Sequence, residues 1–415
     1  MSLSYVRQVD RCRACGSVEI QPFLDLGSMP PANALIPPGQ EGAAETRFPL
    51  ALCSCRTCEL VQLTHVVSAT TLFRQYVYFS SQSGAMARHF ATLANDVADR
   101  FVPAGGLVVE MGSNDGILLR SLVDRPIRIL GVDPAENVAE QARSRGVPTI
   151  ADFFSEDLAR RIRVEHGGAS AIFANNVFAH IDNLDDVLRG VDELLTPGGV
   201  LVIEVPYIVD FLEHLEFDTV YHEHLSYFGV RPLARLFGRF GFEIFDVSHW
   251  PVHGGTIRVF VRRARDARSD ASPVVAEYDA RERAAGTAES ARLARFARDI
   301  AGLRDTLVQL VDEIRRGGKR VVGYTAPAKG IVLLNYCSLD VARIPYLADS
   351  TPAKQGCLAP GVRIPIVSPE HFRSDGPDYA ILLAWNHASE ILAKEAAWQS
   401  GGGRFIVPVP SVQVV

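Results

Sequence analysis

Short runs of β-branched and aliphatic residues alternate with amphipathic stretches through the middle of the chain. The runs lie at VVEM (108–111), IRILGV (127–132), SAIFAN (170–175) and VLVIEV (200–205). Such runs are typical of strands that are buried on both faces, and helical stretches between them favour parallel pairing. The pattern predicts a doubly wound α/β sheet, in which ligands bind beyond the carboxyl ends of the strands.

A second region with this pattern follows a long charged stretch. Residues 276–316 carry apolar side chains at helical spacing between Arg and Glu, which indicates a packing helix. The segment KRVVGYTAPAKGIVLLNYC (319–337) and, less clearly, IPYLADSTPAKQG (344–356) repeat the order of strand, turn and helix. We therefore predict three parts: a module over residues 1–80, a central α/β domain over 81–265 and a smaller α/β domain over 266–415.

Composition and charge exclude several classes of protein. The 415 residues are 47% hydrophobic and 22% charged, as in ordinary globular proteins, and the net charge of −6 argues against a nucleic-acid-binding surface. There is no secretory h-region and no apolar run long enough to cross a membrane, so we expect a cytoplasmic protein. In that compartment the seven cysteines are expected to be thiols or metal ligands. No coiled-coil pattern is present, and we expect a monomer.

Two CxxC pairs near the beginning of the chain predict a zinc site. The sequence CRAC supplies Cys12 and Cys15, and CRTC supplies Cys55 and Cys58. Each pair can direct two sulfurs at one ion, and four thiolates complete the closed tetrahedral set of a structural zinc site. Cys53 has the wrong spacing for a ligand. Because a closed site leaves no position for water, we assign the zinc to stability; reduced, packed cysteines are the alternative.

The turn EMGSNDG follows the first central run, and the segment ILLRSL after it is expected to be a helix. The turn points to a nucleoside cofactor. It lacks the G-x-G-x-x-G spacing of a dinucleotide site and is closer to the glycine pattern of S-adenosylmethionine sites. Asp133 ends the next run, 21 residues after Gly112, where a carboxylate could accept both ribose hydroxyls. Asp152 and Phe153 are expected at the adenine. An unrelated ligand of a doubly wound fold is the alternative. The expected cofactor contacts are Glu110, Gly112, Asn114, Gly116, Asp133, Asp152, Phe153 and Asn175.

Several long motifs, in the same order, resemble the C-methyltransferases that act on dTDP-linked 4-keto deoxysugars in antibiotic biosynthesis. The resemblance covers nearly the whole chain and rests on both CxxC pairs, EMGSNDGILL, FDTVYHEHLSYF, VHGGTIRVF, YTAPAKG and DSTPAKQGCLAPGVRIPIVSPE. It implies a central S-adenosylmethionine-dependent domain that methylates a sugar carbon, C-3 or C-5, with C-3 expected. It also implies a C-terminal domain that helps to bind the nucleotide-sugar. Thr325 departs from the family pattern, in which a glycine often precedes the APAKG turn.

The segment VYHEHLSYF (220–228) supplies the candidate catalytic residues. A ketone at C-4 of the sugar acidifies the hydrogens on C-3 and C-5, and histidine is suited to remove such a proton near neutral pH. On a helix, Tyr221 and His224 would share a face while His222 would point elsewhere. We expect His224 to be the general base, as the family resemblance also implies, and Tyr221 to donate a hydrogen bond to the enolate oxygen.

Three further side chains are expected in the same pocket. Glu223 would orient a histidine or contact the sugar, His180 is the rival base, and Tyr76 would close the pocket from the side of the zinc module. Each has a structural alternative: a surface carboxylate, a core histidine and a packing tyrosine, respectively. Metal binding by His222 and His224 also stays open, because two such residues on a strand would face the same side.

The nucleotide-sugar is expected to bind partly to the C-terminal domain. APAKGIVLL places Lys329 at the beginning of a helix, which suits a diphosphate, although a solvated lysine beside a helix cap is the alternative. Ser350 and Lys354, with Asp349, form a second candidate loop. His253 precedes two glycines, so it marks either a close approach to the ligand or a simple turn. The competing functions are O- or N-methylation of a similar sugar and a non-catalytic scaffold.

Overall fold

The computed structural model describes residues 6–73, 84–252, 254–267 and 270–415. It is a mixed α/β protein with three β-sheets of four or more strands within those ranges, as the hydrophobic pattern predicts. Tyr76 and His253 lie outside the described residues. None of the helices in the described ranges is long and apolar enough to span a bilayer.

The N-terminal module is built on an antiparallel sheet of four strands in the order β11-β4-β3-β2. Its outermost strand, β11, belongs in sequence to the central domain and pairs Ser226 and Tyr227 with Gln62 and Val61. The catalytic candidate segment therefore continues directly into the sheet of the cysteine-rich module. The elements of the module are β1 (Val6–Gln8), β2 (Ile20–Met29), β3 (Phe48–Cys55), β4 (Val61–Leu63), β5 (His65–Val67) and α1 (Ala69–Phe73).

The central domain has a seven-stranded sheet in the order β12-β13-β10-β9-β6-β7-β8. The strands from β10 to β8 in this order are parallel, and β13 and β12 are antiparallel additions at one edge. The elements are α2 (Gly84–Phe101), β6 (Leu107–Met111), β7 (Arg128–Val132), α3 (Glu136–Ser144), β8 (Thr149–Ile150), α4 (Glu156–His166), β9 (Ala169–Asn175), α5 (Leu184–Leu194), β10 (Leu195–Pro206), α6 (Ile208–Glu213), β11 (Ser226–Tyr227), α7 (Val230–Gly238), β12 (Phe242–Trp250) and β13 (Thr256–Arg263).

Helices cover both faces of this sheet, which explains the uninterrupted hydrophobic runs. On β10, Val202 packs into the core shared with Phe90 of α2. Its neighbour Ile203 belongs to the opposite core, together with Leu158 of α4 and Leu188 of α5. Successive side chains of a strand point to opposite faces, so a strand buried on both sides needs apolar residues at nearly every position.

The C-terminal domain repeats the doubly wound arrangement on a smaller scale. Its sheet has the order β16-β15-β14-β17-β18-β19 and is parallel except for β19. The predicted packing helix is two helices, because Gly286 ends the first in a left-handed conformation. The elements are α8 (Pro273–Ala285), α9 (Ser290–Arg316), β14 (Val321–Tyr324), α10 (Ala328–Tyr336), β15 (Leu347–Ala348), β16 (Ile366–Val367), α11 (Pro369–Asp375), β17 (Tyr379–Leu382), α12 (Ala388–Lys394), α13 (Ala396–Ser400), β18 (Arg404–Val407) and β19 (Gln413–Val414).

Two local predictions were wrong. The helix expected after EMGSNDG is only a four-residue 3₁₀ turn, Leu119–Leu122, buried in the core beside α2. Residues 221–224, expected to be helical, form a turn in which the His224 N–H donates to the Tyr221 carbonyl at 2.9 Å. Tertiary contacts, described below, hold this segment where local periodicity favours a helix.

Candidate active site

The four predicted zinc ligands come together in the N-terminal module. The Sγ atoms of Cys12, Cys15, Cys55 and Cys58 all lie within 4.8 Å of one another, and the two closest pairs are 3.5 and 3.6 Å apart. Zn–S bonds of about 2.3 Å in a tetrahedron place the sulfurs about 3.8 Å apart, so the set fits zinc. The contact between the two sulfurs lowers the pKa of Cys12 and raises the pKa of Cys58, so one thiolate is stabilised by the neighbouring thiol before a metal displaces the remaining protons.

Cys53 is not a member of this set. It is fully buried, and its Sγ donates to the backbone carbonyl of Gln62 at 3.6 Å. The prediction from the CxxC spacing, that Cys55 and not Cys53 belongs to the four-cysteine set, therefore agrees with the structure.

The turn after β6 has three residues with left-handed backbone: Gly112 (φ 65°), Asn114 (φ 49°) and Gly116 (φ 77°). A Cβ atom on Gly112 would lie 2.7 Å from a methyl group of Val177, and one on Gly116 would lie 2.9 Å from Val147. Glycine is needed here because the turn packs closely against its own domain, in addition to any approach to a ligand.

Asp133 lies directly after β7 and holds this turn in place. Its two carboxylate oxygens accept hydrogen bonds from the backbone N–H groups of Asn114 at 2.9 Å and Ala135 at 3.0 Å. Burial raises the pKa of Asp133, although both hydrogen bonds act in the opposite direction. The carboxylate thus lies at the carboxyl ends of β6 and β7, where a ribose is expected in such sheets.

Buried polar groups at the same sheet edge fit a polar cofactor. Asn175, at the end of β9, is only 7% exposed, yet within the described residues neither its amide nitrogen nor its oxygen has a hydrogen-bond partner. The Oε2 atom of buried Glu110 likewise has no hydrogen-bond partner among the described residues. Burial, reinforced by Asp133 and Asp115, raises the pKa of Glu110 well above its usual range. Buried carboxyl and amide groups without protein partners suit a ligand with many hydrogen-bonding groups, as S-adenosylmethionine is.

Asp152 and Phe153 lie at the rim of this edge. Both residues are exposed. Phe153, at 38% exposure, is one of the few exposed large apolar residues in the described part of the chain. The Phe153 N–H donates to the Asp152 carboxylate at 2.9 Å. An exposed ring beside the predicted ribose position is suitable for contact with an adenine face.

Tyr221 and His224 are joined by a hydrogen bond of 2.7 Å between the phenolic oxygen and Nε2. The turn brings them together as the helix was expected to do, and their ring centroids are 3.9 Å apart. The Nδ1 atom of His224 lies 2.8 Å from the carbonyl oxygen of Thr219. A carbonyl only accepts, so we assign the proton to Nδ1; Nε2 then has the lone pair, and the Tyr221 hydroxyl donates to it.

His180 and Glu223 adjoin this pair. The His180 ring contacts the His224 ring edge-on with centroids 4.9 Å apart, and it follows β9 in a short 3₁₀ turn, Phe178–His180. Burial lowers the pKa of His180 to about 4, so its imidazole is neutral at physiological pH. Glu223 is buried rather than a surface carboxylate, and its Oε1 accepts from Asn33 Nδ2 at 2.7 Å.

A cavity of about 380 Å³ lies next to the Tyr221–His224 pair, between His180 and Glu223 on one side and the N-terminal module on the other. His180, Glu223 and Leu225 line it from the central domain, and Arg7 and Ser68 line it from the module. A cavity of this size is in the usual range for small-molecule sites.

His222, which also borders this cavity, takes a different orientation from His224. Its ring packs against Phe48 with centroids 5.9 Å apart, and Nε2 lies 3.3 Å from the Phe48 carbonyl oxygen. Burial lowers its pKa to about 4. Among the described residues, the Cys12–Cys58 set is the group found with metal-binding geometry, so the alternative of a metal held by His222 and His224 gains no support.

Lys329 lies near the same segment from the C-terminal domain. Its Nζ donates to Asn386 Oδ1 at 2.9 Å and lies 4.2 Å from the ring centre of Trp385. The Trp385 indole N–H in turn donates to buried Asp218 at 2.7 Å. Burial raises the pKa of Asp218 to about 6, although the nearby Lys329 charge lowers it. Lys329 is therefore half-buried and held by specific partners, not free on an open surface.

The second candidate loop is arranged like the turn around Asp133. Asp349, which follows β15, accepts from the N–H groups of Ala326 at 2.7 Å and Thr351 at 2.8 Å. Lys354 donates to the Ala326 carbonyl at 2.9 Å and lies 3.6 Å from Asp349, while Ser350 is exposed. Lys354 thus closes the loop, and Ser350 is the accessible member.

Comparison with known proteins agrees with this geometry. Residues 12–73 match a zinc binding domain family, residues 85–247 a methyltransferase domain family, and residues 251–410 the C-methyltransferase C-terminal domain family. The C-methyltransferase NovU of Streptomyces niveus is 41% identical over 411 residues, which are 99% of this chain and 98% of NovU. The chain belongs to this C-methyltransferase family. The resemblance inferred from the motifs is thereby confirmed.

More distant relatives match a smaller part of the chain. A trans-aconitate 2-methyltransferase of Sinorhizobium fredii is 30% identical over 34% of this chain and 52% of its own length. The solved structure of the CcbJ methyltransferase from Streptomyces caelestis is 16% identical, covers 42% of this chain and 89% of its own chain, and has a TM-score of 0.33. The matches to a methyltransferase domain family and a zinc binding domain family, together with the four-cysteine cluster, show that this C-methyltransferase is an S-adenosylmethionine-dependent enzyme with a zinc-binding module.

Sequence analysis missed the residues that hold the Tyr221–His224 pair. Thr219 contributes a backbone carbonyl, and Asn33 contacts Glu223 from 190 positions away. Asp218 and Trp385 likewise meet only in the folded chain. Asp218 could have been identified from the sequence, because it lies inside the motif FDTVYHEHLSYF. Asn33 and Trp385 lie outside the motifs, and no sequence pattern pointed to them.

Proposed function

We propose that the enzyme transfers a methyl group to C-3 of a dTDP-linked 4-keto deoxysugar through an enolate. The observation that carries the proposal is the Tyr221–His224 pair, in which Nε2 of the imidazole lies 2.7 Å from the phenolic oxygen. A C-methylation needs both a base and a donor that stabilises negative charge on oxygen, whereas methylation at oxygen or nitrogen needs at most a base.

In the proposed reaction, Nε2 of His224 accepts the proton from C-3 of the sugar. The electron pair of the broken C–H bond forms the C-3=C-4 double bond, and the C-4 carbonyl becomes an enolate oxygen. The Tyr221 hydroxyl turns from Nε2 to this oxygen and donates to it. S-adenosylmethionine supplies the electrophilic methyl group when bound. C-3 would take that methyl group as the electrons of the S–C bond leave with sulfur, and the ketone would reform.

The surroundings of His224 support its role as the base. His180 stays uncharged at neutral pH and so does not oppose the imidazolium that forms on His224. The Thr219 carbonyl accepts a hydrogen bond from the Nδ1–H group and stabilises the same cation. Glu223, which directly precedes His224 and accepts a hydrogen bond from Asn33, is proposed to contact a sugar hydroxyl or a 3-amino group. Tyr76, outside the described residues, keeps its proposed role at the pocket entrance.

We further propose that the C-terminal domain binds the nucleotide part of the substrate. Lys329, Ser350, Lys354 and His253 are the proposed contacts, and an ammonium group has three N–H donors, so a lysine held by one protein acceptor can still bind a phosphate oxygen. Asp349 directly follows β15 as Asp133 directly follows β7, and each carboxylate accepts a hydrogen bond from a backbone N–H of the neighbouring turn. This similarity supports a second nucleoside site at the carboxyl edge of the C-terminal sheet.

The direct test is a product analysis. The enzyme is incubated with S-adenosylmethionine that carries a ¹³C-methyl group and with a panel of dTDP-4-keto sugars, with and without a 3-amino group. NMR then locates the new methyl group. Attachment to C-3 is the expected result. Attachment to C-5 would retain the enolate and change only the regiochemistry, whereas a methyl group on oxygen or nitrogen contradicts the proposal. Cofactor binding without turnover on the whole panel would favour a scaffold.

A further inference from the structure

One arginine of the zinc module is buried although its knuckle lies near the surface. Arg13, between the ligands Cys12 and Cys15, has a side chain only 5% exposed. Arg56 occupies the same place between Cys55 and Cys58 in the second knuckle, and it is exposed. The two knuckles therefore have the same sequence pattern but place their arginines in different surroundings.

Arg13 extends from the first knuckle to the catalytic turn. Its Nη1 donates to the backbone carbonyl of Leu225, the residue directly after His224. The same carbonyl accepts from the N–H of Leu63 at 3.0 Å, and the Leu225 N–H donates to the Ala179 carbonyl at 2.9 Å. The peptide groups that follow the base are thus fixed between the zinc module and the residue that precedes His180.

The remaining donors of the guanidinium are only partly used. Nη2 lies 3.5 Å from Asp182, which also pairs with Arg7 at 2.7 Å, and within the described residues Nε and Nη2 make no hydrogen bond. Burying an incompletely paired cation is unfavourable for stability, and an apolar side chain would be a cheaper way to fill the space. The burial of Arg13 is therefore better explained by its hydrogen bond to the Leu225 carbonyl than by a contribution to stability.

We propose that Arg13 is a positioning residue for methyl transfer: it ties the first zinc knuckle to the Leu225 carbonyl and thereby fixes the imidazole of His224. The inference rests on the proposed role of His224 as the base. It gives the zinc module a part in catalysis without contact between the metal and the substrate, which goes beyond the purely stabilising role expected from the closed ligand set.

The test compares Arg13→Met, Arg13→Lys and the matched control Arg56→Met in the full-length, zinc-loaded protein. Arg13→Met should lower kcat on the order of 100-fold, because small displacements of a catalytic group have effects of this size. Zinc content, the Kd for S-adenosylmethionine and KM should stay within a few-fold of the wild-type values. Arg13→Lys should recover part of kcat, and Arg56→Met should match the wild type.

A kcat for Arg13→Met close to that of the wild type would overturn the proposal. So would a parallel loss of zinc and kcat in both Arg13 variants, because that result would assign Arg13 to the knuckle itself. If Arg13→Met does not fold, the comparison of Arg13→Lys with Arg56→Met decides: an intermediate kcat with full zinc supports the positioning role, and an unchanged kcat contradicts it.

A second measurement does not depend on the substrate. Amide hydrogen exchange of residues 221–227 should be faster in Arg13→Met than in the wild type and unchanged in Arg56→Met, because the Leu225 peptide has lost one of its anchors. Equal exchange in all three proteins contradicts the inference even if methyl transfer is confirmed. Conversely, faster exchange in Arg13→Met stands as support if His224→Asn shows that another residue is the base.

Discussion

The Nδ1 atom of His224 lies 2.8 Å from the carbonyl oxygen of Thr219. This contact fixes the imidazole tautomer, because a carbonyl oxygen can accept a hydrogen bond but has no proton to donate. It leaves Nε2 as the basic atom and turns it toward Tyr221. In the proposed reaction, the same contact would become a charge-assisted hydrogen bond once Nε2 has taken a proton, and it would favour the transition state over the resting enzyme.

Tyr221→Phe should lower kcat about 100-fold while KM changes little. The hydroxyl is expected to strengthen its hydrogen bond as negative charge develops on the sugar oxygen, and removal of such a donor has an effect of this order. Steady-state kinetics with a saturating methyl donor measure both constants. Tyr379→Phe, on β17 of the C-terminal domain, is the control. An increase in KM alone would show that Tyr221 only helps to bind the sugar.

Cys55→Ala should release zinc, whereas Cys53→Ala should retain it. The two residues lie two positions apart in β3, but only Cys55 has its Sγ in the four-sulfur set. Metal analysis of the purified variants gives the stoichiometry, and the melting temperature reports the loss of stability that follows loss of a structural metal. Cys53→Ala is expected to cost about 1 kcal/mol of unfolding free energy for lost packing. Equal zinc contents in both variants would contradict the ligand assignment.

Stability should depend on pH through His222. Its pKa in the folded protein is about 4, below the unfolded value of about 6.5, so the unfolded chain binds more protons in this interval. The free energy of unfolding is therefore expected to fall as the pH drops from about 6.5 to 4, by up to about 1.4 kcal/mol per pH unit, because protonation of His222 favours the unfolded chain.

The variant His222→Phe isolates this effect, because it lacks the titrating group and retains a ring against Phe48. Denaturant unfolding of both proteins between pH 7 and 4 should show the wild type losing stability relative to the variant. A constant difference between the two curves would mean that His222 is not buried as a neutral imidazole.

Thr325 carries backbone strain that glycine would relieve. Its φ of 69° lies in the left-handed region, which costs an L-residue roughly 1–2 kcal/mol and is least suited to a β-branched side chain. Thr325→Gly should therefore leave stability unchanged or raise it by up to about 1 kcal/mol, after the loss of the side-chain hydrogen bond to Tyr324. Thr351→Gly, at φ −79°, should destabilise the protein. A larger destabilisation by Thr325→Gly than by Thr351→Gly contradicts this account.

The sequence allowed prediction of the features that depend on local pattern. The buried strands, the ligands Cys12 and Cys58 and the carboxylate Asp133 all follow from spacing or from continuous hydrophobicity. The turn at Tyr221–His224 could not be predicted, because its conformation is set by contacts with Phe48, Leu63 and Arg13 that lie far away in the chain. The side-by-side position of Tyr221 and His224 was nevertheless correct, since residues three apart come close in a tight turn as well as in a helix.

Deuterium exchange at the sugar carbon tests the central claim most directly. Wild-type enzyme and His224→Asn are incubated in D₂O with the dTDP-4-keto sugar but without a methyl donor, and NMR follows the C-3 hydrogen. We predict exchange at C-3 with the wild type, and neither exchange nor methyl transfer with the variant, which should still bind S-adenosylmethionine with near-wild-type affinity. Exchange at the wild-type rate in His224→Asn, or methyl transfer by that variant at the wild-type rate, would contradict the assignment of His224 as the base.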